Sequence, residues 1–244
     1  MSEWIETELK LAIPDERAWE WVRAQLGPGR IVRQANHFFD RRDRALSGDR
    51  IAVRLRAAAS ARILTVKGSA GESAGQAVTR RFELESPVPS GEFDRALHDG
   101  LSLANWIENW RAIVPQEASD REDLARFLDR LERLTSDAPL ERYAGFSNRR
   151  ETLPFEALDA VGRLDLELEL DRTEFPGGRI AFEIEVERTS ERDEAMTRTR
   201  RALTAWLEKE GGIRPFTAES KLTRLNALLH ESEKSRKARA DSDL

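Results

Sequence analysis

The chain has 244 residues, of which 35% are charged and 39% hydrophobic, and its formal net charge is -5 at pH 7. This length suits one large domain with an ample core, and the acidic balance argues against a general nucleic-acid binder, which usually has a net basic domain. With no cysteine and three histidines, disulfides and thiolate metal sites are excluded, and a histidine-based zinc site is disfavoured. There is no apolar run of about 18 residues, and the charged N-terminus is unlike a signal peptide. We therefore expect a cytoplasmic monomer or homodimer with no nucleic-acid or membrane partner.

Hydrophobic periodicity predicts strands and helices over most of the chain. The first strand covers 3–12, and Pro14-Asp15-Glu16 then opens a helix that continues to about Leu26. Further strands are predicted at 31–39, 51–58, 61–67, 77–86, 141–157, 161–171 and 179–188. Further helices are predicted at 91–99, 119–134, 190–210 and 219–231.

The segments between these elements indicate how they are connected. The turn Pro176-Gly177-Gly178 joins the last two strands as an antiparallel hairpin. Residues 99–118 are extra length between two groups of strands, and we favour a capping helix over a lid. Residues 68–75 are rich in glycine but lack Gly-Lys-Ser/Thr, so we predict a hairpin loop and not a phosphate-binding loop. The pattern predicts an α+β fold with a single domain over 1–231 and a disordered polar tail over 232–244.

Within several predicted strands, charged residues alternate with residues that are mostly apolar, strictly so from Leu164 to Asp171. In the first strand, Glu6, Glu8 and Lys10 share one face, because successive side chains point to opposite faces. The same alternation recurs in later strands, and each charged face is mainly acidic or mainly basic. The later charged residues are Arg54, Arg56, Lys67, Glu83, Glu85, Asp165, Glu167, Glu169, Asp171, Glu183, Glu185 and Glu187.

The alternation has an ordinary explanation and a more specific one. A sheet with one solvated face is common and would explain any single strand. Like charges opposite each other are destabilising, however, and here the carboxylates and the basic groups are segregated. A sheet curled into a barrel, with its charges inside and its helices outside, would let cations and a polyanion neutralise them. Clustered carboxylates favour Mg²⁺ or Mn²⁺, and arginine and lysine bind phosphate, so such an interior suits phosphoryl transfer.

A series of short motifs occurs in a characteristic order. The first is Glu6-Thr7-Glu8-Leu9-Lys10, a Glu-x-Glu-x-Lys strand. The others are Gln34 to Asp40, Val53-Arg54-Leu55-Arg56, Thr65-Val66-Lys67, Arg81 to Glu85, Asp171 with Phe175 to Gly178, Phe182 to Glu187, and Ser220-Lys221. Together they resemble the motifs of the CYTH, or triphosphate tunnel metalloenzyme, superfamily. The similarity extends over nearly all of residues 3–229.

The resemblance implies a fold, a metal and a set of site residues. The fold is an antiparallel eight-stranded β-barrel with a charged tunnel and helices packed outside, and the metal is Mg²⁺ or Mn²⁺. The implied metal ligands are Glu6, Glu8, Glu185 and Glu187, with Asp171 and Glu183 as helpers. The implied phosphate-binding residues are Lys10, Arg54, Arg56, Lys67, Arg150 and Lys221, although Arg149 competes with Arg150 for the inward face. The implied catalytic set is Glu6, Glu8, Lys10, Glu185 and Glu187, and Glu83 and Glu85 line the tunnel.

The resemblance also limits the function. Family members hydrolyse inorganic tripolyphosphate or thiamine triphosphate, and some cyclise ATP, so the implied partner is a small-molecule triphosphate or nucleotide. The Phe-Phe-Asp spacing and the Phe-Pro-Gly-Gly turn favour a metal-dependent tripolyphosphatase. Thiamine triphosphatase is the nearest alternative and needs an aromatic platform, for which Trp4 or Trp106 is available; adenylyl cyclase is a further alternative. A polyphosphate- or nucleotide-binding module and a structural domain with solvated sheets also stay open.

Overall fold

The structure is a computed structural model that describes residues 4–59, 61–69, 78–113, 121–159, 162–188 and 193–242. Its strands are β1 (Ile5–Ile13), β2 (Arg30–Asp40), β3 (Ala52–Ala58), β4 (Ala61–Ser69), β5 (Val78–Pro87), β6 (Glu141–Asp159), β7 (Gly162–Glu174), β8 (Ile180–Arg188) and β9 (Phe216–Thr217). Its helices are α1 (Glu16–Leu26), α2 (Ala45–Gly48), α3 (Ser90–Asp99), α4 (Ala104–Ile113), α5 (Arg121–Thr135), α6 (Asp193–Gly211) and α7 (Lys221–Ser242). Among the described residues, none of the helices is long and apolar enough to cross a membrane.

Eight strands form a closed antiparallel barrel. Their order is β5-β4-β3-β2-β6-β7-β8-β1, and β1 also pairs with β5, which closes the sheet on itself. The short strand β9 extends the sheet beside β1. The closed antiparallel barrel that the sequence predicts is therefore confirmed, and its register decides which charged residues meet inside.

Apolar side chains cover the outside of the barrel in two layers. Because they alternate with the charged residues, they point away from the tunnel and pack against helices. The residues of α3, α4 and α5 cover β3, β4 and β5, and those of α1 and α6 cover β1, β7 and β8. Burying one large aliphatic side chain contributes about 1.5–3 kcal/mol, so these layers stabilise a barrel whose interior is polar. Representative members are Leu55, Val66, Leu84, Trp110 and Leu128 in the first layer and Leu9, Trp19, Leu168, Ile184 and Leu203 in the second.

Helix α4 forms part of the segment that the sequence predicts as a cap. Its Trp110 is 1% exposed, and the indole Nε1 donates a hydrogen bond to Ser86 Oγ at 2.9 Å. This helix therefore covers the barrel wall, as expected. At α1 the expected start differs slightly: Asp15 is the N-cap, and its Oδ1 accepts a hydrogen bond from Ala18 N at 2.8 Å, so Pro14 precedes the helix.

Helix α7 covers one end of the barrel. Leu222 and Leu225 of this helix pack with Phe38 and Phe146, whose side chains lie on the tunnel face of β2 and β6. The helix continues to Ser242, well past the predicted end at 231, because its last part is rich in strong helix formers such as Ala, Lys, Arg and Glu. Much of the segment predicted as a disordered tail is thus helical in the structure. The division into one domain and a tail stays a prediction, and most of the loop predicted at 68–75 lies outside the described residues.

Candidate active site

The barrel encloses a cavity of about 1320 Å³. Every residue that the sequence predicts to bind phosphate lines it: Lys10, Arg54, Arg56, Lys67, Arg150 and Lys221. Six of the predicted carboxylates line it as well, namely Glu6, Glu8, Glu83, Glu85, Glu185 and Glu187. Asp171 and Glu183 are fully buried beside it. The period of two along each strand therefore gathers most of the predicted site residues around one cavity.

Strands β1, β4 and β5 build the first group of paired charges. Lys67 Nζ lies 2.7 Å from Glu6 Oε2 and 2.8 Å from Glu83 Oε2. Arg81 joins the two carboxylates of β1, with its Nε 3.1 Å from Glu6 Oε2 and its Nη2 2.6 Å from Glu8 Oε2. The register explains these contacts, since Glu6 is opposite Arg81 and Lys67 is opposite Glu83. Arg81 was missed as a site residue because its partner depends on this register.

Glu187 adds an unpaired carboxylate to this region. One oxygen each of Glu6, Glu83 and Glu187 lies within 4.8 Å of the others. Glu187 is exposed, and it forms no ion pair with any residue that the structure describes. Even so, partial burial of its carboxyl group, together with the nearby charge of Glu6, raises the pKa of Glu187 to about 7. These three converging carboxylates could hold a hard divalent cation, because they offer oxygen ligands and no soft ones.

A second cluster of carboxylates already has side-chain cations. Oxygens of Asp171, Glu183 and Glu185 lie within 4.8 Å of one another. Lys221 Nζ lies 2.8 Å from Asp171 Oδ2 and 2.7 Å from Glu185 Oε1, and it also contacts Glu183. Arg150 holds Asp171 in a bidentate pair, with its Nε 2.9 Å from Oδ1 and its Nη2 2.7 Å from Oδ2. The remaining contacts are Lys10 to Glu185 at 2.8 Å, Arg150 to Glu185 at 2.5 Å, Arg150 to Glu169, and Arg224 to Glu183.

The protonation states in this second cluster follow from these contacts. Burial alone would raise the pKa of Glu185, but the charges of Lys10, Lys221 and Arg150 outweigh it and hold that pKa well below the usual range. Burial would likewise lower the pKa of Lys221, which the three carboxylates of the cluster raise instead. The cluster is thus a buried network of ion pairs, in which burial raises the pKa of Glu183 and the Nε of Arg224 has no hydrogen-bond partner among the described residues. Such a network holds its side chains in position. Loss of one partner would leave a buried charge uncompensated and would strongly destabilise the fold.

The basic part of the wall lies on β3 and β4. Arg54 Nη2 donates to Thr65 Oγ1 at 3.1 Å and lies 3.8 Å from Glu85, whereas Arg56 Nη2 is 3.1 Å from the same carboxylate. One carboxylate therefore serves two guanidinium groups. The Nε of Arg54 is buried and has no hydrogen-bond partner in the part of the chain that the structure describes. Burial, and then the charge of Arg56, lowers the pKa of Arg54 to about 10. An anion in the tunnel would relieve both conditions.

Neighbouring residues settle two alternatives from the sequence. Arg150 lines the tunnel, whereas Arg149 lies over the ring of Trp19 at 5.0 Å, on the outer side of the same strand. Trp4 lines the cavity, but Trp106 is part of α4, packs against the outer layer and is not among the described lining residues. The sequence reasoning also did not identify the amides of Gln34, Asn36 and Asn148, which form an uncharged part of the wall. Uncharged polar residues on one strand are a weak signal, so only the fold assigns them to the tunnel.

Comparisons with known proteins identify the same fold. A model of the CYTH domain family matches residues 4–218 of the chain. Among solved structures, HpAC1 of Hippeastrum, whose description combines an adenylyl cyclase assignment with a dominant triphosphatase activity, is 23% identical, with a TM-score of 0.64 over 91% of this chain and 95% of that one. A protein of Bacillus halodurans described as an adenylate cyclase is 21% identical, with a TM-score of 0.57 over 90% of this chain and 97% of that one. A Pyrococcus horikoshii protein is 19% identical, with a TM-score of 0.52 over 93% and 99%. A search of curated protein sequences gave no match.

Proposed function

The chain belongs to the CYTH domain family, and on that premise we propose that it is a metal-dependent hydrolase of triphosphates, with inorganic tripolyphosphate as the preferred substrate. The observation that carries this proposal is that acidic and basic side chains line different parts of one cavity. Among the described residues, the carboxylate of Glu187 has no cation in an ion pair with it, and the Nε of Arg54 has no hydrogen-bond acceptor. A divalent cation and a polyphosphate together would satisfy both.

The residues that would hold the metal are Glu6, Glu83 and Glu187. Their oxygens already converge, and the all-carboxylate donor set fits a hard divalent ion, either Mg²⁺ or Mn²⁺. Glu8 is a neighbour of this group and is paired with Lys10 at 2.7 Å and with Arg81. When bound, the metal supplies Lewis-acid stabilisation of phosphate oxygens.

The basic residues would bind and orient the phosphate chain. Arg54 and Arg56 offer planar donors that suit bidentate contacts to phosphate oxygens, and Lys67 offers a compact charge. Hydrolysis requires a water to attack the terminal phosphorus while the bridging P–O bond breaks, which releases orthophosphate and pyrophosphate. Charge that develops on the transferred group and on the leaving oxygen is stabilised by fixed cations, which is the main requirement of phosphoryl transfer. Arg150 and Lys221 are held by buried carboxylates, so their role is to keep the wall in place beside the substrate.

A thiamine triphosphatase is the second candidate, and Trp4 is the observation that favours it. Trp4 lines the cavity. The face of its aromatic ring could stack on a cationic heterocycle. The Hippeastrum protein is described as an adenylyl cyclase, so ATP is a further candidate substrate. A fold shared by several chemistries does not decide among these substrates. Cytoplasmic location and a monomeric or homodimeric state stay predictions.

The direct test measures phosphate release from tripolyphosphate, thiamine triphosphate and ATP, each with Mg²⁺, Mn²⁺ or EDTA. We expect metal-dependent turnover that is fastest with tripolyphosphate and is reduced at least a hundredfold in the double variant Glu6→Gln/Glu187→Gln. The matched control is Asp165→Asn/Glu167→Gln, which removes two exposed carboxylates of β7 outside the cavity and should keep full activity. Tight binding of tripolyphosphate without turnover of any of the three substrates would overturn the enzyme and indicate a binding module.

A further inference from the structure

A groove on the outer wall of the barrel contains a row of arginines. The register of β2, β6 and β7 places Arg33 opposite Arg149, and Arg149 opposite Arg172. These positions alternate with the tunnel residues Gln34, Asn148 and Asp171, so their side chains lie on the other face of the sheet. Directly opposed like charges destabilise a sheet. This row has three arginines on adjacent strands, which make two such opposed pairs.

The groove has a volume of about 380 Å³, which is within the size range of small-ligand pockets, roughly 300–1,000 Å³. A fourth arginine, Arg62 on β4, also lines it. Glu174 is the carboxylate among the described lining residues, and Arg62 also lies over the ring of Phe93 at 5.7 Å. Alanines at 35, 57, 58, 59 and 61 keep the groove open, because small side chains leave the backbone accessible.

The arginines of this groove are poorly neutralised by the protein. Arg33 is exposed, and neither Arg33 nor Arg62 forms an ion pair with any residue in the described part of the chain. Arg172 lies 3.7 Å from Glu16 and 3.8 Å from Glu174, which is beyond hydrogen-bond distance. The contrast with the tunnel is clear, because most cations there have a carboxylate within 3 Å.

Arg149 completes the row and is held in position by packing. Its guanidinium lies over the ring of Trp19, and its ion pair with Glu151 is long, at 3.4 Å. Glu151 is also bound more closely by Arg23, at 2.7 Å. Arg149 is therefore oriented by an aromatic ring and keeps most of its hydrogen-bonding capacity for another acceptor.

We propose that this arginine groove, formed by Arg33, Arg62, Arg149 and Arg172, is a second anion-binding site that takes a small phosphorylated or polyphosphate anion. Guanidinium groups match phosphate oxygens in bidentate geometry, and several in a row match an extended chain of phosphates. Gln34 and Asn148 contribute to the lining of both the groove and the tunnel. The site lies outside the tunnel and does not depend on the proposed hydrolase activity.

The test uses pyrophosphate as the probe in EDTA, with binding measured by calorimetry on the full chain. We expect two sites in the unmodified protein. In Arg33→Ser/Arg172→Ser, the groove site should weaken about tenfold or more, while the tunnel site and the hydrolysis of tripolyphosphate stay within twofold. In Arg54→Ala/Lys67→Ala, the tunnel site should weaken and the groove site should remain.

Two further variants separate specific binding from general charge and from misfolding. Arg126→Ser/Arg163→Ser removes two exposed arginines elsewhere and should leave both sites unchanged. Arg33→Lys/Arg172→Lys keeps the charge and the fold but removes the bidentate geometry, so the groove site should weaken only in part. Relief of like-charge repulsion should also keep the Tm of Arg33→Ser/Arg172→Ser at or above that of the unmodified protein. A single site in the unmodified protein, or equal loss in the Arg126→Ser/Arg163→Ser control, would overturn the proposal.

Discussion

Glu8 of β1 and Glu187 of β8 are directly opposed across an antiparallel ladder, yet only Glu8 has cationic partners. Lys10 and Arg81 neutralise Glu8, whereas Glu187 forms no ion pair with the described residues. The charge that most affects the pKa of Glu187 is that of Glu6, which is also negative. Two carboxylates in equivalent places on neighbouring strands therefore have different chemistry. On the basis of this difference we propose that a metal would bind on the Glu187 side of the pair.

The first prediction concerns metal affinity. Replacing Glu187 by Gln removes the one unpaired carboxylate of the group, so we expect the Kd for Mn²⁺ to rise at least tenfold, as measured by calorimetry without substrate. The metal-free protein should be no less stable, because no ion pair is lost. Glu167→Gln on the exposed part of β7 serves as the control. Unchanged Mn²⁺ affinity in the Glu187 variant would move the metal site elsewhere.

The second prediction separates the two carboxylate clusters. Asp171 is 0% exposed and is held by both Arg150 and Lys221, so replacing it by Asn leaves buried cations poorly compensated. Loss of one partner of a buried pair costs about 3–5 kcal/mol, which urea unfolding should detect. We expect the Mn²⁺ affinity of the folded variant to stay within threefold. A large loss of Mn²⁺ affinity without loss of stability would show that Asp171 is a ligand.

The third prediction concerns pH. The folded protein has a pKa of about 7 at Glu187, above the reference value of 4.5, so between these values the folded state holds a proton that the unfolded state releases. This group therefore lowers the free energy of unfolding as the pH rises from about 4.5 to 7, and its effect is complete above that range. In EDTA, Glu187→Gln should gain stability relative to the unmodified protein at pH 8 and not at pH 4.5. An equal difference at the two pH values would contradict the raised pKa.

The fourth prediction concerns Arg54. Its guanidinium shares one carboxylate with Arg56 and has an unpaired Nε, so it is available to the substrate. A charged hydrogen bond contributes about 1.5–3 kcal/mol, so Arg54→Ala should weaken tripolyphosphate binding by at least tenfold. The free energy of unfolding of Arg54→Ala should change little, because the buried charge that the variant loses is poorly compensated in the unmodified protein. Arg163→Ala, on the surface, is the control, and unchanged binding in Arg54→Ala would remove this residue from the site.

The sequence predicted the barrel and the contents of its tunnel because a period of two is visible without any tertiary information. Glu6, Arg54 and Glu185 were assigned to one interior for that reason, and the structure places all three on the same cavity wall. Which charges pair depends on strand register, and a shift of one residue would change every partner. The pairing of Arg81 with Glu6 and the arginine groove were missed on that account.

Short elements and the end of α7 were missed for a different reason. Helix α2 has four residues and strand β9 has two, which is too little for a periodic signal. Helix α7 continues past 231 because helix propensity there is high, although no apolar stripe marks the segment. The polarity of these residues predicts disorder, whereas their high helix propensity favours the helix that the structure shows.

The double pairing of β1 has a consequence for how the chain folds. This strand precedes the other described strands in the sequence, but its barrel neighbours are β5 and β8, the second of which lies about 180 residues later. Contacts between such distant segments form slowly. The final joining of β1 to β8 is also the step that brings Lys10 to Glu185 and Glu6 to Glu187. A chain in which β1 and β8 are not joined has no enclosed cavity, so the candidate site and the closed barrel form in one event.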